Sequence, residues 1–185
     1  TGVQTCALRS LHEVLRVNPP VRSDFAEKGI EVDDFAKKML GQIVFLYFLQ
    51  KKGWFGVKEE DNWGTGEKRY LRYLFENRAE LVSFDKRKAG RANYFNDILE
   101  PLFYESLARQ RDERHYEIFN CKIPFLNGGL FEPLHGYRWA GTNIELPDEL
   151  FSNDFPTKEG DPGTGILDVF DRYNLDRKST RLNSS

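Results

Sequence analysis

One segment, residues 34–52, constrains the fold most because apolar residues recur in it at helical spacing. Two interleaved sets repeat every four positions: Phe35, Met39, Ile43, Tyr47 and Ala36, Leu40, Val44, Phe48. Apolar residues therefore cover more than one face, which predicts a buried central helix that ends at Gly53. We expect four residues in its middle to lie largely inside the core: Phe45, Leu46, Phe48 and Leu49.

Three further segments carry helical patterns. Residues 67–80 and 93–109 each place apolar residues on one face, and Pro101 should kink the second helix or restart it. Residues 165–173 are predicted to form a last helix. Because the recognisable patterns before residue 123 are helical, the expected fold class is mainly α.

The C-terminal part differs in character. Pro, Gly, Asn and Asp are frequent from residue 123 onward, which favours loops with one short helix near residues 148–151. We therefore predict a helical connector domain over residues 11–122. A loop-rich extension with few or no strands is expected over residues 123–175.

Both ends of the chain are expected to be non-native. One DNA string that encodes residues 176–185 has a reverse complement that encodes Thr1 to Leu8. It resembles a sequencing-library adapter translated in opposite orientations at the two ends. Residues 1–10 and 176–185 are therefore interpreted as adapter-derived and poorly packed. The native protein would be a fragment of a longer parent polypeptide.

Composition narrows the class of protein. The net charge of −2 excludes a generally basic nucleic-acid coat but allows a local basic patch. The longest uncharged stretch of the central helix, residues 39–50, is too short to span a membrane, which needs about 20 residues. Two cysteines, Cys6 and Cys121, are too few for a disulfide framework. A cytoplasmic protein is expected.

Asn18-Pro-Pro-Val21 approaches the Asn/Asp-Pro-Pro-aromatic motif of amino-methyltransferases. In that motif the polar groups accept hydrogen bonds from the target amino group, and the aromatic ring stacks on the flipped base. Val21 cannot stack, and no cofactor-binding strand precedes it. The favoured interpretation is a Pro-Pro break before a helix.

Asp161-Pro-Gly-Thr-Gly165 approaches the loop that holds S-adenosylmethionine in the same enzymes. That loop follows a buried strand and precedes an acidic residue by about 20 positions. The preceding residues, 155–159, do not read as a buried strand, and the spacing of the loop is short. A loop that leads into the last helix is favoured.

No catalytic, cofactor-binding or metal site is assigned from the residues. The three histidines, His12, His115 and His135, are scattered without carboxylates or thiolates at ligand spacing. The one candidate for contact with a partner is a basic turn that could touch the DNA backbone: Lys86, Arg87, Lys88 and Arg91. A solvated turn is the alternative.

Four segments in one order carry a family resemblance: LGQIVFLYFLQKKGW (40–54), NDILEPLFY (96–104), IPFLNGGLFE (123–132) and ILDVFDRYN (166–174). Together they resemble bacterial type IIG restriction-modification enzymes and the related adenine-specific DNA methyltransferases. The resemblance covers nearly all of residues 11–175. It implies a helical segment just before the methyltransferase domain, linking it to a nuclease part where one exists.

The resemblance implies a function for the parent. The parent would bind double-stranded DNA and transfer a methyl group from S-adenosylmethionine to N6 of a flipped adenine. The cofactor loop and catalytic Asn-Pro-Pro-Tyr of the family lie downstream of this chain, so none of its residues inherits a catalytic role. Two alternatives remain: a non-enzymatic helical module that binds DNA or protein, and the connector of a restriction endonuclease with a decayed methyltransferase.

Overall fold

The computed structural model describes residues 2–83, 90–111, 114–126 and 128–173, with backbone alone for residues 2–6. Its longer helices are α1 (Gly2–Val17) and α3 (Val32–Lys51), joined by α2, which consists of a π-helical turn (Val21–Phe25) and Ala26–Lys28. Shorter helices follow: α4 (Tyr70–Glu76), α5 (Arg78–Leu81), the π-helical α6 (Tyr94–Leu99) and α7 (Pro101–Leu107), and α8 (166–173). The expected mainly α class is confirmed.

Helix α3 forms the centre of the core, as its periodicity predicts. Leu46 and Leu49 are buried, in agreement with the sequence. Phe45 and Phe48 are 36% and 53% exposed, so their expected burial is wrong. They stand three positions apart on the one face of α3 that no other element fully covers. The apolar residues on several faces of α3 therefore predict more burial than the helix has.

The predicted helix over residues 67–80 is two short helices, α4 and α5. The break lies at Asn77, whose side-chain Nδ2 donates a hydrogen bond of 2.8 Å to the Tyr73 carbonyl. Such side-chain bonds compete with helix propagation. Tyr70, Leu71 and Leu74 are buried, as the apolar pattern predicts.

Pro101 restarts the helix, as predicted. It stands at the first position of α7, and Glu100, whose backbone is also helical, is the one residue between α6 and α7. Asn93 precedes α6, and its side chain accepts a hydrogen bond of 2.9 Å from the backbone N–H of Asn96. The buried residues of the two helices fill the core beside α3: Phe95, Ile98, Leu99, Leu102, Phe103 and Leu107.

The C-terminal half is rich in loops. Strands β1 (His115–Tyr116) and β2 (Cys121–Lys122) form an antiparallel pair in which Tyr116 faces Cys121. Val57 forms an isolated bridge with Lys122, so the turn after α3 folds back onto this hairpin. The short helix expected near residues 148–151 is present as one turn of 3₁₀ helix, Asp148–Leu150. Few strands, as expected, are present in the described part of the chain.

Within the N-terminal ten residues, Ala7 and Leu8 are packed, contrary to the expectation of a poorly packed segment. Residues 2–10 continue α1, and Ala7 and Leu8 pack against the core in half-buried positions. They precede the buried Leu11 by four and three residues, so they fall on the same helical face. The packing does not test whether these residues are native. Residues 176–185 lie outside the described residues.

Across the described ranges, no helix is both long enough and apolar enough to cross a membrane.

Candidate functional site

The basic turn falls mostly outside the described residues. Lys86, Arg87 and Lys88 are not described, while Arg91 is exposed at the edge of a cavity of about 460 Å³. Arg78 lines the same cavity, and its Nε lies 2.7 Å from Asp148 Oδ2. Further carboxylates, Glu145 and Glu149, line the same cavity. Contact of the four basic residues with the DNA backbone stays a prediction.

Asn18 has a structural role in this chain. Its Nδ2 donates a hydrogen bond of 3.2 Å to the Glu145 carbonyl, and its Oδ1 accepts one of 3.3 Å from the Val21 N–H. Asn18 is 9% exposed and Val21 is fully buried. The side-chain amide thus joins the start of α2 to the C-terminal loops, as expected for a Pro-Pro break rather than for a base-binding motif.

The Asp161–Gly165 loop leads into α8. Pro156, which precedes the loop, forms an isolated bridge with Pro162 within it, and no buried strand comes before the loop. Gly163 has φ +89°, a conformation that favours glycine. The N–H of Gly165 donates a hydrogen bond of 3.0 Å to Asp168 Oδ2 at the start of the helix. These contacts support the interpretation of a helix-leading loop.

A cluster of charged residues holds α8 against α4. The Arg72 guanidinium donates from Nη2 to Asp168 Oδ1 at 2.8 Å and from Nε to Asp171 Oδ2 at 3.0 Å. Only 11 to 14% of each of these three side chains is exposed. Burial removes most water from the pairs, so each charge depends on its partners. We call Arg72, Asp168, Asp171 and Ser152 the Arg72 cluster.

Asp168 is the most heavily bonded member of the cluster. It accepts hydrogen bonds from the Ser152 hydroxyl at 2.7 Å and from the Asn153 N–H at 2.9 Å, in addition to those from Arg72 and Gly165. Burial acts to raise the pKa of Asp168, but the hydrogen bonds from Ser152 and Arg72 outweigh it and lower the pKa below its usual value. Asp168 is therefore held as a carboxylate.

The cluster also reaches the central helix. The Tyr47 hydroxyl donates to Asp171 Oδ1 at 3.0 Å and lies 3.3 Å from the Leu167 carbonyl. The ring of Tyr47 packs 5.0 Å from that of Phe170, centroid to centroid. Helix α8 is thus fixed to both α3 and α4. Its charges are satisfied by each other, so the arrangement positions a helix rather than performing chemistry.

A second feature is an apolar surface where residues 129–131 lie along α3. Lys38 Nζ donates to the Gly129 carbonyl at 2.6 Å, and Gln42 Nε2 donates to the Leu130 carbonyl at 2.8 Å. Leu130 covers Gly41, where an added Cβ would stand 3.9 Å from Leu130 Cδ1.

We call the exposed side chains here the Phe45 surface: Phe45, Phe48 and Leu130. It joins two of the four segments that carry the family resemblance, residues 40–54 and 123–132. The apolar pattern of α3 gave no indication of this surface, because it predicts that Phe45 and Phe48 lie in the core. The lysines at positions 37, 38, 51 and 52, which lie near both ends of the same helix face, are the signal that could have found it.

A third feature is a cleft of about 460 Å³ beside the β-hairpin, lined by Cys121, Tyr70 and His115 among others. The Tyr70 hydroxyl and Cys121 Sγ are 3.1 Å apart and form a hydrogen bond. Burial raises the pKa of the Cys121 thiol, which disfavours the nucleophilic thiolate. His12 is not among the residues that line this cleft and pairs with Asp33. Among the residues that the structure describes, no three metal-ligating side chains come together.

Comparison with known proteins gives one informative similarity. The chain is 28% identical over 159 residues to a protein of Methanocaldococcus jannaschii named "putative type II restriction enzyme and methyltransferase". The similarity covers 84% of this chain, which spans about a tenth of the length of that relative. No family model and no solved structure matches the chain. The similarity relates the chain to restriction-modification proteins.

Proposed function

We propose that this chain is the helical scaffold of a site-specific DNA adenine-N6 methyltransferase of a restriction-modification system. The observation that carries the proposal is the similarity to the Methanocaldococcus protein over 84% of the chain. That protein's name includes both restriction and methylation. Because the chain matches only a tenth of that protein, we assign the chemistry to other parts of a longer parent.

The role of this segment in the parent is to orient, not to react. Arg72 and Tyr47 fix α8 against α4 and α3 through Asp168 and Asp171. Several buried hydrogen bonds fix the direction of α8. The polypeptide that follows the helix therefore begins at a defined position and orientation. We therefore propose that α8 leads into the methyltransferase domain and sets its orientation.

The parent uses S-adenosylmethionine as methyl donor and acts on double-stranded DNA in the cytoplasm. The cofactor and the flipped adenine bind in the downstream domain. The basic turn with Lys86, Arg87, Lys88 and Arg91 contributes electrostatic contact with the DNA backbone. Residues 1–10 and 176–185 take no part in this function, because we assign them to adapter-derived sequence.

The sequence of the gene of origin tests the proposal. Within the next hundred or so codons after residue 175, we expect a buried strand with a Gly-rich loop, followed by Asn-Pro-Pro-aromatic. A cofactor loop with disrupted catalytic residues would instead support an endonuclease with a decayed methyltransferase. Absence of both motifs would support a non-enzymatic helical module and contradict the proposal.

A further inference from the structure

A groove of about 680 Å³ separates part of α1 from the C-terminal part of the chain. The α1 side of the groove is formed by Ala7, Ser10 and Val14. These residues share one helical face because they stand three and four positions apart. Ser10 is exposed and Ala7 is only half-buried, so the side chains of α1 leave the groove open.

The opposite wall of the groove contains apolar side chains from two elements. Leu150 lies in the 3₁₀ turn, and Ile166 and Val169 stand three positions apart on α8. Ile166 is 2% exposed, whereas Leu150 and Val169 are only half-buried. The Arg72 cluster holds α8 in place, so these side chains face α1 across the groove from a fixed position.

The polar groups of the groove favour an apolar occupant over a polar ligand. Asn153 Oδ1 accepts a hydrogen bond of 3.1 Å from the Thr164 hydroxyl, and Asn153 Nδ2 donates one of 2.7 Å to the Glu149 carbonyl. A small-molecule site instead directs a few polar groups at its ligand. Charged side chains of both signs line the groove, Glu149, Glu159 and Lys158, so they select neither a cation nor an anion.

We propose that, in the parent polypeptide, the native residues before Leu11 continue α1 and close this groove with apolar side chains larger than those of Ala7 and Ser10. The proposal rests on the assignment of residues 1–10 to adapter-derived sequence, which makes Ala7 and Ser10 substitutes for other residues. Leu11 is fully buried, so α1 already docks at this place and a native continuation would extend the same interface. The Methanocaldococcus relative has about ten times the length matched here, so most of such a polypeptide lies outside this segment.

The gene of origin supplies the residues to compare. At the positions four and one before Leu11, which Ala7 and Ser10 occupy here, we expect apolar residues larger than alanine, without a proline between them. Polar residues or glycine at both positions would overturn the proposal. Residues 1–10 themselves in the gene would also overturn it, because the groove would then be a native feature of the chain.

Thermal unfolding tests whether the native residues fill the groove. Residues 1–10 are replaced by the ten native residues that precede Leu11 in the gene, and we expect the midpoint of unfolding to rise by at least about 3 °C. Val169→Ala is then made in both chains. It should lower the midpoint by at least about 2 °C more in the chain with native residues, because Val169 gains packing partners only there. Val17→Ala deletes the same atoms at a position on α1 that is 72% exposed, and it should act equally in both chains.

An equal effect of Val169→Ala in the two chains would overturn the proposal, since a higher midpoint would then reflect helix propensity rather than contact across the groove. A midpoint that rises with protein concentration would assign the groove to a second copy and overturn it as well. DNA methylation by the parent does not enter these measurements, so this proposal and the proposed function can fail separately.

Discussion

The guanidinium of Arg72 on α4 lies 2.8 Å from the carboxylate of Asp168 on α8, and this pair joins helices that are 96 residues apart in the sequence. Both side chains are almost excluded from water, with 13% and 11% exposed. Removing one partner of such a pair leaves an uncompensated charge, which costs more than the pair itself contributes. The attachment of α8 therefore depends on a few side chains.

Substitution Arg72→Ala should lower the free energy of unfolding by about 3 kcal/mol, because it leaves both Asp168 and Asp171 without their main partner. Urea denaturation followed by circular dichroism measures this change. Arg69→Ala is the matched control, since Arg69 is 68% exposed and its Nη2 lies 3.6 Å from Asp171. The control should change stability by less than about 0.5 kcal/mol. Equal losses of unfolding free energy in Arg72→Ala and Arg69→Ala would contradict a dominant role of the Arg72 cluster in holding α8.

Acid should weaken the same attachment. The pKa of Asp168 is lower in the folded chain than in the unfolded chain, so its contribution is complete above the unfolded pKa of about 3.9. The contribution is lost as the pH falls through the lowered folded pKa. Asp168→Asn should therefore destabilise most at pH 6, and the difference from the wild type should narrow below about pH 4. Asp154→Asn, at an exposed position, is the matched control and should change the free energy of unfolding by less than about 0.5 kcal/mol.

Leu46→Ala should lower the free energy of unfolding much more than Phe48→Ala, although the two residues stand only two positions apart on α3. Leu46 is fully buried, so its truncation should cost about 3 kcal/mol of unfolding free energy. Phe48 is 53% exposed, so its truncation should cost no more than about 1 kcal/mol, including the loss of its contact with Lys52. Loss of cooperative unfolding in Phe48→Ala would indicate that Phe48 is buried, as the sequence pattern predicts.

Gly41→Ala should stabilise the chain by about 0.5–1 kcal/mol. Gly41 lies in the middle of α3, where alanine has the higher helix propensity, and the added Cβ would make an ordinary contact of 3.9 Å with Leu130. Gly53→Ala is the opposite case, because Gly53 has φ +71° and the added Cβ would collide with the Gly64 carbonyl. In thermal denaturation, the midpoint temperature of unfolding should be higher for Gly41→Ala and lower for Gly53→Ala than for the unsubstituted chain. A lower midpoint for Gly41→Ala would indicate that Leu130 cannot accommodate the methyl group.

Local patterns predicted the helices but not their exposure. The positions of α3, α8 and the restart at Pro101 follow from periodicity and from the missing N–H of proline, both of which act over a few residues. The exposure of Phe48 depends on which elements cover α3, and that is decided by residues far along the chain.

The contacts between distant residues had no local signal. Arg72 and Asp168 are ordinary charged residues on two amphipathic helices until the fold brings them together. Ala7 and Leu8 are the reverse case, because they share the helical face of the buried Leu11 and their packing therefore follows from local spacing alone.

The chain alone should bind no S-adenosylmethionine. The candidate loop, residues 161–165, has only the isolated bridge of Pro156 with Pro162 at its start and leads into α8, whereas a cofactor loop needs a buried strand before it. Calorimetric titration with S-adenosylmethionine should give no heat above that of dilution. Saturable binding at micromolar affinity that disappears in Asp161→Ala would identify a cofactor loop after all.

The most direct test of the central claim is the identity of the base that the full-length polypeptide methylates. The purified polypeptide is incubated with double-stranded DNA and S-adenosylmethionine, and the DNA is digested to nucleosides for mass spectrometry and sequenced for modified positions. We predict N6-methyladenine at one position of one recurring sequence. The account would be contradicted by DNA without any methylated base, or by methylation confined to cytosine.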